Sequence, residues 1–179
     1  MDPVHRLRAS RTALVVVDVQ GSFPTIAHDA DDVLVRLRAL LDRARTAAAP
    51  VVFTRQRFAD RIPGIVPTIG PTSGDTVVFK DSPDAFDGTD LSEVLAAVSR
   101  IAIAGFATEA CIDSTARAAL SRGFDVLLLS DCHTTTNDRG KDPVPAPEVI
   151  AHYNATFARL EYPGRSIIVA PSRRVAFVP

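Results

Sequence analysis

The chain has 179 residues, 46% of them hydrophobic and 23% charged, with a formal net charge of −1. That length suits one domain with a full-sized core, and the near-neutral balance leaves no global field to draw in nucleic acid or an anionic membrane. Arginines are scattered among carboxylates rather than gathered in a basic stripe, and the longest apolar runs fall far short of the about 20 residues that span a bilayer.

Residues 13–19 (ALVVVDV) are continuous and β-branched, as expected of a strand buried on both faces. Residues 31–48 carry Val33, Leu34, Leu37, Leu40 and Leu41 at helical spacing, and Pro50 closes that helix. Residues 51–54 begin a second strand. Residues 55–75 hold three prolines and three glycines and predict a long loop, of a length that is usually functional or mobile. A third strand follows at 76–80 (TVVFK), then a short helix at 91–99 and a fourth strand at 100–104. Residues 111–122 read as a helix stopped by Gly123, residues 125–130 as a fifth strand, 147–158 as a last helix and 166–169 as a sixth strand.

No composition shift marks a boundary, so one domain over residues 1–179 is expected. The opening MDPVHRLRASR lacks the apolar core of a signal peptide, and two cysteines make no disulfide framework; a cytoplasmic location with reduced thiols is expected. Neither a G-x-G-x-x-G fingerprint nor a P-loop is present, so no cofactor is expected.

Alternating β and α elements predict an α/β fold, a mostly parallel sheet with helices on both faces. Ligands of such sheets sit beyond the carboxyl ends of the strands, near the point where strand order reverses. The polar residues that end these strands are Asp18, Gln20, Thr54, Gln56, Lys80, the turn 105–111 and Asp131. Asp18 interrupts a run of valines, where an unpaired charge is costly. Lys80 ends a strand at the same edge, where its ammonium would hold Asp18 ionised and stabilise a nearby thiolate. Cys111 lies at a strand-to-helix turn. A helix N-terminus and a cation both lower a thiol pKa, and turn N–H groups can form an oxyanion hole. The three types suit nucleophile, base and electrostatic partner.

Three motifs stand in order: ALVVVDVQGSF around Asp18, VVFKDSPDAF around Lys80, and GFATEACIDSTARAALSRGFDVLLLSD around Cys111. On these motifs the chain resembles the isochorismatase-like, or cysteine hydrolase, superfamily, which includes nicotinamidases and N-carbamoylsarcosine amidase. The resemblance implies a three-layer α/β/α sandwich with a six-stranded parallel sheet. It implies Asp18 as general base, Lys80 as electrostatic partner and Cys111 as nucleophile. It also implies a non-proline cis peptide at Phe106–Ala107, aiming the N–H groups of Ala107 and Cys111 at the oxyanion, and a homo-oligomer, dimer or tetramer. Metal-binding nicotinamidases carry an Asp-x-His pattern after the second strand. Here that segment reads TRQRFADRIPG, without histidine, so no metal is expected there. The TRQ stretch is similar to the isochorismatase branch.

Substrate-binding candidates are Gln20, Gln56, Phe23 as a stacking ring and Arg55 as a carboxylate clamp. Asp131, Cys132 and His133 are adjacent in sequence and are not expected to converge on one ion. The leading reading is a cofactor-independent hydrolase that cleaves a C–N bond of a small amide, ureide or lactam through a thioester on Cys111. A second reading is vinyl-ether hydrolysis of the isochorismatase type with Asp18 as acid. A third is a binding or scaffold protein that keeps the fold without turnover.

Overall fold

The computed structural model describes residues 4–137 and 144–179. Eight strands are present among them: β1 (His5–Arg8), β2 (Thr12–Val17), β3 (Val51–Gln56), β4 (Thr76–Lys80), β5 (Arg100–Phe106), β6 (Asp125–Thr134), β7 (Ile167–Ala170) and β8 (Val175–Val178). Helices are α1 (Phe23–Ile26), α2 (Ala30–Thr46), α3 (Leu91–Val94), α4 (Asp113–Ser121) and α5 (Ala146–Arg159). Six strands form one sheet in the order β4-β3-β2-β5-β6-β7, every neighbouring pair parallel. The chain leaves β2 for β3 on one side and later returns to β5 on the other. The strand order therefore reverses between β2 and β5, where an open α/β sheet forms its crevice.

Alternation along the strands builds two cores. Leu14 and Val16 of β2, Phe53 of β3 and Leu127 of β6 face α2, which contributes Leu37, Leu40 and Leu41. Val15 and Val17, with Val52, Ile101, Ile103 and Leu128, face the other helices, which contribute Leu91, Ala116, Leu120 and Phe157. Both faces are covered, so the strands read as unbroken apolar runs. Helix α2 carries Asp31 and Asp32 in its first turn and Arg43 and Arg45 in its last, matching its dipole.

Several boundaries differ from the sequence expectation. Strands β1 and β8 pair with each other in a separate two-stranded parallel ladder, His5 opposite Val175 through Arg8 opposite Val178. The helix expected over 91–99 is a single α-turn; beyond it the chain continues in three-residue turns, with Ala96 N–H donating to Glu93 O and Val98 N–H to Leu95 O. Strand β6 runs past Ser130 because its pairing with β5 jumps: Ile103 lies opposite Leu128, but Gly105 lies opposite His133. The long loop 57–75 is tied down rather than free. Gly21 N–H donates to Gly64 O and Val66 N–H to Val19 O. Asp75, whose side chain is almost fully buried, is gripped by Arg45 at 2.6 Å. No helix among the described residues is long and apolar enough to cross a membrane.

Candidate active site

The carboxyl ends of four adjacent strands converge on one cluster. Asp18 follows β2 with φ 51°, a left-handed conformation that Asp tolerates better than most residues with a Cβ. Its N–H donates to Thr54 Oγ1 at 3.2 Å, and the Thr54 hydroxyl donates back to Asp18 Oδ1 at 2.7 Å. Asp18 Oδ2 meets Lys80 Nζ at 2.7 Å. Lys80 is wholly buried, so its ammonium requires several partners. It also donates to Gln56 Oε1 at 2.6 Å, to Ser82 O at 2.9 Å and to Cys111 Sγ at 3.4 Å. One ammonium thus bridges the carboxylate and the sulfur.

Cys111 reaches this cluster through an unusual turn. Gly105, φ +124°, packs so closely on β2 that a Cβ there would lie 2.0 Å from Val17 O. No other residue fits that conformation and that approach together. The Phe106–Ala107 peptide that follows is cis. Residues Thr108–Ile112 then form one π-helical turn, with Ile112 N–H donating to Ala107 O at 3.1 Å. Such turns occur often at functional sites. The turn is braced from behind. Thr108 Oγ1 lies 2.8 Å from Nδ1 of buried His133, whose Nε2 lies 3.0 Å from Asn154 Oδ1 on α5.

Placing Cys111 in this turn overturns one expectation. The residue does not open an α-helix, since α4 begins at Asp113. Its thiol is pushed up to about 11 rather than lowered. Burial is the main cause, the negative charge of Asp18 adds to it, and Lys80 offsets it only in part. Between a carboxylate and an ammonium already paired with each other, a second anion gains little. At neutral pH Cys111 therefore rests as a thiol. Cys132 is also a packed thiol, fully buried and pushed up to about 12, chiefly by burial.

The cluster opens on a cavity of about 750 Å³. Asp18, Phe106, Ala107 and Cys111 line it, as do Gln20, Phe23 and Gln56. Phe23 packs edge-on against Phe106, ring centres 5.6 Å apart, while almost wholly buried. The two glutamines serve the protein first. Gln20 Nε2 donates to Gln56 O and Gln56 N–H to Gln20 Oε1, each at 2.9 Å, so Gln20 pairs with the β3 backbone like a further strand. Gln56 holds Lys80. Arg55 is not brought to the cavity. Its guanidinium donates to Pro63 O and Ile62 O and stacks 5.1 Å from the Phe79 ring centre, which corrects the expectation of a carboxylate clamp.

The sequence marks Thr54 only as a polar residue at a strand end; the structure makes it the partner of Asp18. Its signal was its place at the end of β3, one strand from Asp18. Among the described residues, no three His, Cys, Asp or Glu side chains are grouped to hold a metal ion. Asp131 instead accepts from Ser172 N–H at 2.7 Å and from the Ser172 hydroxyl at 3.2 Å.

The profile of the isochorismatase domain matches residues 12–144, three quarters of the chain and every residue of this cluster. The chain belongs to the isochorismatase family. Among curated relatives of this family member is streptothricin hydrolase of Streptomyces noursei, 39% identical over 139 residues, covering 69% of this chain and 54% of that protein. The chain spans about half the length of the streptothricin hydrolases it matches. Nicotinamidase 3 of Arabidopsis thaliana is 29% identical over 150 residues, covering 70% of this chain and 74% of that one. In structure the family member is similar to a cysteine hydrolase from Pseudomonas syringae pv. phaseolicola 1448A, with a TM-score of 0.81, 26% identity and 97% of each chain covered.

Proposed function

We propose that this isochorismatase-family hydrolase cleaves a C–N bond of a small amide, ureide or lactam through a thioester on Cys111. The observation that carries the reading is the buried Lys80 ammonium shared between Asp18 Oδ2 and Cys111 Sγ, two residues that line one cavity. Relatives named as a streptothricin hydrolase and a nicotinamidase support the choice of C–N bonds.

Because the resting thiol is neutral, the proton leaves as the bond forms. Sγ attacks the carbonyl carbon while its proton passes to Asp18, and Lys80 holds the carboxylate in place. The N–H groups of Ala107 and Cys111 receive the oxyanion. Asp18 then protonates the departing nitrogen, and the C–N bond breaks to leave the thioester. Water, deprotonated by Asp18, attacks the thioester and releases the acid and the thiol. Thr54 keeps Asp18 Oδ1 oriented, leaving Oδ2 to the ammonium.

The test is a panel of small amides, ureides and lactams with detection of released ammonia or amine. Turnover is expected in the native protein and absent in Cys111→Ala. Turnover that survives Cys111→Ala overturns the thioester and leaves Asp18-driven ether-type hydrolysis as the better account.

A further inference from the structure

The charged side chains that line the cavity are not all neutralised. Asp18 is bound to Lys80 at 2.7 Å. Asp81 is bound to Arg57 through both oxygens, at 2.8 and 2.5 Å. Arg61 also lines the cavity, and among the described residues no carboxylate pairs with it. Its guanidinium lies 5.8 Å from the Phe58 ring centre. A small hairpin holds the two residues together, Phe58 N–H donating to Arg61 O at 2.9 Å and Arg61 N–H to Phe58 O at 3.3 Å. Much of the rest of the wall is apolar: Phe23, Ile26, Pro63, Pro83 and Phe106.

From this we infer that the substrate carries a carboxylate or a similar planar oxyanion, and that Arg61 is the residue that selects it. An ammonium and a carboxylate cancel in the cluster, and a second ion pair cancels at Asp81. The remaining positive charge at the wall is that of Arg61. A guanidinium presents a planar fork of donors that matches a carboxylate in two parallel hydrogen bonds. Arg61 and Phe58 are themselves exposed to solvent, so only the part of the field that falls on the apolar wall escapes competition from water. Stacking on Phe58 restricts the side chain before the ligand arrives, which lowers the ordering cost of binding. The apolar walls take the body of the molecule, and the scissile carbonyl lies over Cys111. The inference rests on Cys111 acting as the nucleophile.

The experiment uses two reversible thiol traps and the full chain. One is benzaldehyde with a carboxylate at the para position; the other is its neutral methyl ester. The thiol adds across the aldehyde: an Sγ–C bond forms, the carbonyl π bond breaks and the oxygen takes the proton, giving a thiohemiacetal with no change of oxidation state. Adduct formation is read by NMR with a ¹³C-labelled aldehyde carbon and divided by adduct formation with mercaptoethanol, which removes the intrinsic difference in electrophilicity. After that correction the carboxylate trap is expected to bind about tenfold tighter than the ester. The preference should vanish in Arg61→Gln, persist in part in Arg61→Lys and shrink as salt rises. Equal corrected affinities in the native protein, or a preference unchanged in Arg61→Gln, overturn the role of Arg61 and leave the nucleophile standing. Absence of any adduct with either aldehyde overturns the nucleophile itself, and this inference with it.

Discussion

Removing the charge of Asp18 should make Cys111 more reactive to an alkylating agent while abolishing turnover. The Asp18 carboxylate raises the thiol pKa, and Lys80 Nζ, 3.4 Å from Sγ, lowers it. Unit charges at that distance interact by about 5 kcal/mol at an effective dielectric constant near 20. In the native cluster Asp18 absorbs most of that attraction. In Asp18→Asn the ammonium is left to the sulfur, and half of the interaction is enough to lower the pKa from about 11 by about two units. At pH 7.5 the thiolate fraction then rises about 100-fold. A less basic thiolate is a weaker nucleophile, with a Brønsted slope of about 0.4–0.5, which removes roughly tenfold of that gain. The net expectation is about tenfold faster reaction with iodoacetamide. Mass spectrometry of the two cysteine peptides over pH 6–10 measures it, with buried Cys132 as the silent internal control. Slower or unchanged alkylation of Cys111 in Asp18→Asn would refute the assignment of opposing effects to Asp18 and Lys80.

Thr54→Val keeps the shape of β3 but removes the donor to Asp18 Oδ1; a loss of about 1–2 kcal/mol in urea unfolding and about tenfold in kcat is expected, with Thr54→Ser restoring both. Gly105→Ala places a Cβ 2.0 Å from Val17 O at a φ of +124° and should cost about 4 kcal/mol or more; a thermal midpoint within a few degrees of the native value would contradict the close approach of β2 and β5. Burial pushes buried His133 below the ordinary histidine pKa. As pH falls below about 6.5 the unfolded chain binds that proton first, so stability present above this pH declines by at most about 1.4 kcal/mol per pH unit from this group. Urea unfolding between pH 7.5 and 5 should show a shallower decline in His133→Gln, and equal slopes for the two proteins would reject the contribution.

The sheet was readable because its strands are buried on both faces, so each appears as a short apolar run between polar turns. The same property made Asp18 conspicuous, since a carboxylate beside four valines needs a partner. Strands β1 (HRLR) and β8 (VAFV) were missed because each is only four residues long and gains its meaning from the other, far away in sequence. The particular roles of Thr54 and Gly105 are hidden in the sequence for a related reason. A threonine ending a strand and a glycine in a turn are ordinary until the neighbouring strand is placed beside them. Arg61 lies in a stretch read simply as loop, and its place at the cavity depends on a hairpin that no periodicity announces. The sign of the Cys111 shift depends on burial first and on the Asp18 carboxylate second, and a helix end and a lysine in the sequence announce neither.

The β1–β8 ladder has a mechanical consequence. Its strands are parallel, with His5 opposite Val175 and Arg8 opposite Val178. Tension applied through the residues before β1 and after β8 therefore pulls the two strands past each other along their length. Their slanted hydrogen bonds are loaded all at once rather than unzipped in turn. In this direction the ladder acts as a shear clamp that must yield before force reaches β2, the strand that carries Asp18. A machine that unfolds proteins by pulling at both ends would meet its resistance here first, with the cavity still intact.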